Sequence, residues 1–171
     1  MGLFSFLKNA GAKIFGPTTT AKKTTKTTNT TLAAEDAKRA EDIARKQKII
    51  VLKGVVDSLN IDVGELEVDF YDDTVTIYGG VETQAEKEKI ILALGNVAGV
   101  AAVDDRMIVN TPAKEAIFYE VKRGDSLSKI AKAQYGNAMK YPLIFEANKP
   151  MLKDPNKIYP GQVIRIPEID A

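Results

Sequence analysis

Residues 74–100 read TVTIYGGVETQAEKEKIILALGNVAGV, a strand pattern, a helix start and a helix end in succession. Val75 and Ile77 alternate with Thr74, Thr76 and Tyr78, the period-two spacing of a half-buried strand. Gly79-Gly80 predicts the end of the hairpin that this strand closes. Thr83-Gln84-Ala85-Glu86 has capping-box spacing, in which each side chain satisfies the other residue's free N–H. A helix therefore starts there, with Ile90, Ile91 and Leu94 on its buried face. It stops within Gly95-Asn96-Val97-Ala98-Gly99-Val100, where Gly95 and Gly99 are both C-cap candidates.

Upstream, Leu66, Val68 and Phe70 alternate with Glu65, Glu67, Asp69 and Tyr71, and Asp72-Asp73 turns this strand into the next. Before it, Leu32–Gln47 is Ala-rich and dense in mixed charge. Glu35–Arg39 and Glu41–Arg45 are acid-to-base pairs at i, i+4 that support a solvated helix. Ile49, Leu52, Val55, Val56 and Leu59 continue it as an apolar stripe. Downstream, a third strand is expected over 100–109. The order helix, strand, strand, helix, strand predicts a small α+β sandwich over 32–111.

A second unit is expected over 112–171. Phe118–Val121 is strand-like, and Gly124-Asp125-Ser126 turns into a helix with Asp125 or Ser126 as N-cap. Leu127, Ile130 and Ala131 form that helix's buried face, and Gly136 closes it. Another helix over 139–147 requires Pro142 in its first turn. Tyr159-Pro160-Gly161-Gln162 fits a type II turn, followed by a closing strand over 163–166. About 50 residues are few for independent stability without a staple, and there is no Cys for a disulfide. Docking against the middle unit is expected.

At the other end, Leu3, Phe4, Phe6, Leu7, Ala10 and Ile14 recur at spacings of three and four, predicting a short amphipathic helix over 1–15 that packs on its own protein. Residues 16–31, dominated by Thr and Lys, read as a flexible linker.

The 171 residues include no Cys, no His and no Trp. A Ser-His-Asp or Cys-His site is therefore excluded, along with disulfides, zinc knuckles and iron–sulfur clusters. The 24 basic and 23 acidic residues give a net charge of +1, yet they are unevenly spread. The segments 1–31, 32–111 and 112–171 carry +5, −7 and +3. No long basic stripe interleaves with aromatics, which argues against nucleic acid as a partner. No apolar run reaches transmembrane length, and the N-terminus lacks a secretory design. The expected protein is cytoplasmic, monomeric and not an enzyme.

Residues 119–127 (YEVKRGDSL), Ile130-Ala131, 144–148 (IFEAN) and 158–167 (IYPGQVIRIP) together resemble a LysM domain. That resemblance implies a βααβ fold and, as one reading of function, binding of N-acetylglucosamine-containing glycans such as peptidoglycan. The implied groove involves Gly124, Asp125, Ser126 and Leu127 on one side and Asn148 to Ile158 on the other. Val68, residues 75–80, 97–100 and Val103 look like a BON domain, implying an αββαβ sandwich. With the N-terminal MGLFSFLKNAG, the combination resembles the bacterial cytoplasmic potassium-binding BON–LysM family.

The chemistry of K⁺ suits such a chain. Selective sites surround this large monovalent ion with neutral backbone carbonyls, whereas dense carboxylates favour Ca²⁺ or Mg²⁺. The last carbonyls of a helix lack intrahelical partners and carry partial negative charge. The family resemblance implies main-chain ligands from two segments. On matching positions these are the carbonyls of Leu7, Lys8, Ala10, Gly95, Val97 and Val100. A conformational switch is expected, in which the ion ties the N-terminal segment to the BON-like unit. The other reading of both glycine clusters is ordinary helix capping. Asp72-Asp73 and Asp104-Asp105 lack an EF-hand's alternating ligands and read as a turn and a strand edge.

Overall fold

A computed structural model describes residues 2–6 and 32–169. Its first strand is β1, Gly2–Ser5. The middle unit follows as α1 (Leu32–Asp57), β2 (Gly64–Tyr71), β3 (Thr74–Thr83), α2 (Gln84–Gly95) and β4 (Ala102–Thr111). The C-terminal unit comprises β5 (Ile117–Glu120), α3 (Leu127–Tyr135), a 3₁₀ turn at Ala138–Lys140, α4 (Tyr141–Ala147) and β6 (Val163–Ile166). This is the α+β pair of units expected, αββαβ then βααβ.

The middle sheet has the order β1-β4-β3-β2. β2 and β3 form an antiparallel hairpin, whose turn residues Asp72 and Asp73 have φ of 47° and 56°. β3 and β4 run parallel, and α2 is the crossover that parallel strands need. Its capping box forms as the spacing predicts: the Thr83 hydroxyl accepts the Glu86 N–H at 3.3 Å, and the Glu86 carboxylate accepts the Thr83 N–H at 2.8 Å. Leu52, Val56, Val75, Ile77, Ile90, Leu94 and Val103 fill the core between helices and sheet.

Two sequence expectations are corrected. The first turn of the helix expected over 1–15 is instead β1, paired antiparallel to β4 from Gly2↔Asp105 to Ser5↔Ala102. Phe4 and Phe6 turn inward while Leu3 and Ser5 face out. A two-residue period therefore wins, because the free edge of β4 offers a ladder of unpaired backbone groups. The rest of that helix, and the linker over 16–31, lie outside the described residues. Gly79-Gly80 ends the hairpin as expected, at Gly64↔Gly80, while β3 runs on beside β4 as far as Thr83↔Thr111. Gly79, at φ 146°, also permits a close approach; a Cβ there would lie 2.7 Å from Val63 Cγ1 and 3.0 Å from the Gly64 carbonyl oxygen. Second, Gly95 is not a cap. It is the last residue of α2, and Asn96 caps the helix.

In the C-terminal unit the local signals hold. Ser126 caps α3 through the Lys129 N–H, Pro142 lies in the first turn of α4, and Gly161 has φ 87° in a turn closed by Gln162 N–H to the Tyr159 carbonyl. Val121, Leu127, Ile130, Ile144, Leu152, Ile164 and Ile166 make a separate small core.

The two units dock through α2. Residues 90–95 of that helix are all buried, not only the three of the expected face. The sheet and α1 cover one part of its circumference, and β6 covers another. Asn96 Nδ2 donates to the Val163 carbonyl at 2.8 Å, and its Oδ1 accepts the Val163 N–H at 3.0 Å. Glu88, almost fully buried, accepts from Gln84 Nε2 at 3.0 Å, from the Ala116 N–H at 2.9 Å and from Arg165 Nε. Phe4 and Phe118 bring their ring centroids to 5.0 Å across the same boundary. Among the described residues, no helix is long and apolar enough to cross a membrane.

Candidate functional site

α2 ends in a tight loop, Gly95 to Ala101. The Leu94 carbonyl accepts the Val97 N–H, and the Val97 carbonyl accepts the Val100 N–H, both at 3.1 Å. Gly99 has φ 84°. The Asp73 carbonyl accepts the Ala101 N–H at 2.7 Å, tying the loop to the β2–β3 turn. Asn96 and Val100 are fully buried, and Val97 and Ala98 nearly so, which fixes this backbone inside the protein.

The N-terminal strand arrives on this loop. The Phe6 N–H donates to the Ala101 carbonyl at 2.8 Å. The Phe6 ring lies flat against the face of Gly95: a Cβ there would sit 2.2 Å from Phe6 Cζ and 2.3 Å from Cε1 and Cε2. Gly95 is glycine because an aromatic ring occupies its side-chain space. Three of the expected ligands, Leu7, Lys8 and Ala10, lie outside the described residues.

The donors of this loop are neutral. Among the described residues, no group of three or more His, Cys, Asp or Glu side chains could hold a metal. Asp105, one of the paired acids, is buried in an ion pair with Lys87 at 2.6 Å and accepts the Met107 N–H. A cation does reach the loop from within. Lys48 Nζ, on α1, donates to the Ala98 carbonyl and stands 5.7 Å from the Phe70 ring centroid. Burial lowers the pKa of Lys48, and the nearby Asp73 carboxylate opposes that shift. A univalent ammonium thus sits on one carbonyl of this helix-end loop. Each carbonyl oxygen has two lone pairs, so the turn bond at Val97 leaves room for an ion.

Residues 50–111 match the BON domain model, and residues 119–167 match the LysM domain model. Over 168 residues the chain is 44% identical to the Potassium binding protein Kbp of Escherichia coli, covering 98% of this chain and 99% of that protein. The chain belongs to the Kbp family. An uncharacterized protein of Deinococcus radiodurans is 36% identical over 105 residues, which span 55% of this chain and 41% of that one.

In this Kbp-family chain the LysM positions expected for glycan are woven into the domain's own structure. Gly124 has φ 87° in the turn before α3. Asp125 Oδ2 accepts the Tyr119 hydroxyl at 2.8 Å and the Lys122 N–H at 2.9 Å. Ser126 is the N-cap, Leu127 is in the core, and Ile158 packs against that core. Asn148 is buried, its Nδ2 donating to the Ile144 and Arg165 carbonyls and its Oδ1 accepting the Arg165 N–H.

Sequence reasoning missed Lys48, the Phe6–Gly95 contact and the bridging of Asn96 and Glu88 to β6. One signal was available. The run from Ile90 to Gly95 is apolar all round, which marks a helix covered on more than one side.

Proposed function

We propose that this chain is a cytoplasmic potassium-ion binding protein, a sensor or buffer, that binds rather than catalyses. The ion is held by the backbone carbonyls of Leu7, Lys8, Ala10, Gly95, Val97 and Val100. The observation that supports the reading is the seating of Phe6 on Gly95, which docks the end of β1 against a buried loop of neutral backbone groups. Identity to the Potassium binding protein Kbp across nearly the whole chain supports it. An ion bridging the two segments stabilises the form in which β1 is docked. By linkage, saturation at a hundred times the Kd adds about 2.7 kcal/mol. Without the ion, a population with the N-terminal segment released rises, and this is the switch.

The test is thermal unfolding in KCl and NaCl at equal ionic strength. The melting temperature rises with KCl and much less with NaCl. Equal responses overturn the reading.

A further inference from the structure

Lys48 is the one observation around the loop that the potassium reading does not use. Its place is fixed by α1: Leu52, one turn further on, is fully buried and sets which side of the helix faces the sheet. The Lys48 stem therefore runs past Phe70, and its ammonium meets the Ala98 carbonyl, one residue from Val97 and two from Val100. A Cβ on Gly99 would stand 3.4 Å from Nζ. The surroundings form an open cleft of about 400 Å³, which also holds Glu41, Arg45, Asp72 and Asp73.

We infer that Lys48 is a specificity-determining residue of the cation site, a fixed positive charge that discriminates against divalent ions. The inference rests on the potassium reading above. Coulomb repulsion scales with the product of the charges. The same ammonium therefore opposes a divalent ion with twice the free energy it sets against K⁺, and the affinity ratio is squared.

The experiment measures K⁺ and Ba²⁺ dissociation constants by calorimetry on the full chain, Ba²⁺ being close to K⁺ in size. Wild type is compared with Lys48→Met and Lys48→Arg, with Lys48→Gln replacing the Met variant if circular dichroism shows the latter unfolded. The neutral variant tightens K⁺ about tenfold and Ba²⁺ about a hundredfold, while the Arg variant keeps both within about twofold. Equal tightening of both ions, no change, or weaker binding overturns the role of Lys48. A wild-type chain without a K⁺ response over Na⁺ overturns the potassium reading itself.

Discussion

The carboxamide of Asn96 pairs with both backbone groups of Val163, doing for β6 what a neighbouring strand would do. Asn148 repeats the arrangement two residues on, with Arg165, at 2.7 Å for each bond. β5 pairs with the other side of β6, at Ile164 and Ile166. Val163 and Arg165 therefore point to the free edge, and two asparagines at helix C-caps cover it. Asn148 comes from the LysM domain itself, whereas Asn96 comes from the BON domain. The edge is complete only when the two domains are docked.

Asn96→Ala leaves the N–H and C=O of Val163 buried without partners. A loss of about 3 kcal/mol is expected in urea unfolding, with faster hydrogen exchange at Val163. A loss below about 0.5 kcal/mol contradicts the bridging role.

Glu88→Ala strands the guanidinium of Arg165 at the same boundary, where Arg165 is also largely buried. Removing one partner of a buried pair costs about 3–5 kcal/mol, whereas replacing both with apolar residues is often close to neutral. Glu88→Leu combined with Arg165→Leu should recover most of the stability lost by Glu88→Ala in denaturant titration.

Gly95→Ala places a methyl group where the Phe6 ring lies. The ring must leave, and β1 loses its anchor. Overpacking of this kind costs about 1–3 kcal/mol. The KCl-dependent rise in melting temperature should shrink as well. Adding Phe6→Ala should restore the basal stability of the Gly95→Ala chain without restoring its KCl response. A full KCl response in Gly95→Ala separates the ring contact from ion binding.

Tyr119 ionises above the ordinary tyrosine range, chiefly because its hydroxyl donates to Asp125, with burial adding to the effect. A group whose folded pKa is raised contributes stability below its unfolded pKa. That contribution is lost as pH climbs through the raised value. Burial raises Tyr135 as well, so an ultraviolet titration should show late-ionising tyrosine absorbance that Tyr119→Phe reduces and does not abolish. The variant's stability should also fall less steeply than wild type's in that alkaline window.

Much of the architecture was legible because it rests on short-range chemistry. The capping box at Thr83 and Glu86, the Asp72-Asp73 turn, the Ser126 cap and the Tyr159–Gln162 turn each satisfy backbone groups within a few residues. Their signals are therefore local. The N-terminal strand was misread for the opposite reason. Spacing in 1–15 fits a helix, and only the open edge of β4, about a hundred residues away in sequence, converts Phe4 and Phe6 to a two-residue period.

The sequence by itself determined the element order, the two domains and the neutral, glycine-marked helix end at residues 95–100. Spacing and turn chemistry specify these without reference to the rest of the chain. Only the tertiary structure decided why Gly95 is glycine, which cation meets Ala98, and how Asn96 and Glu88 join the domains. Those answers depend on which distant groups share a buried volume. A ring against a missing Cβ, or a carboxamide against a strand edge, leaves no periodic trace in either partner's own segment.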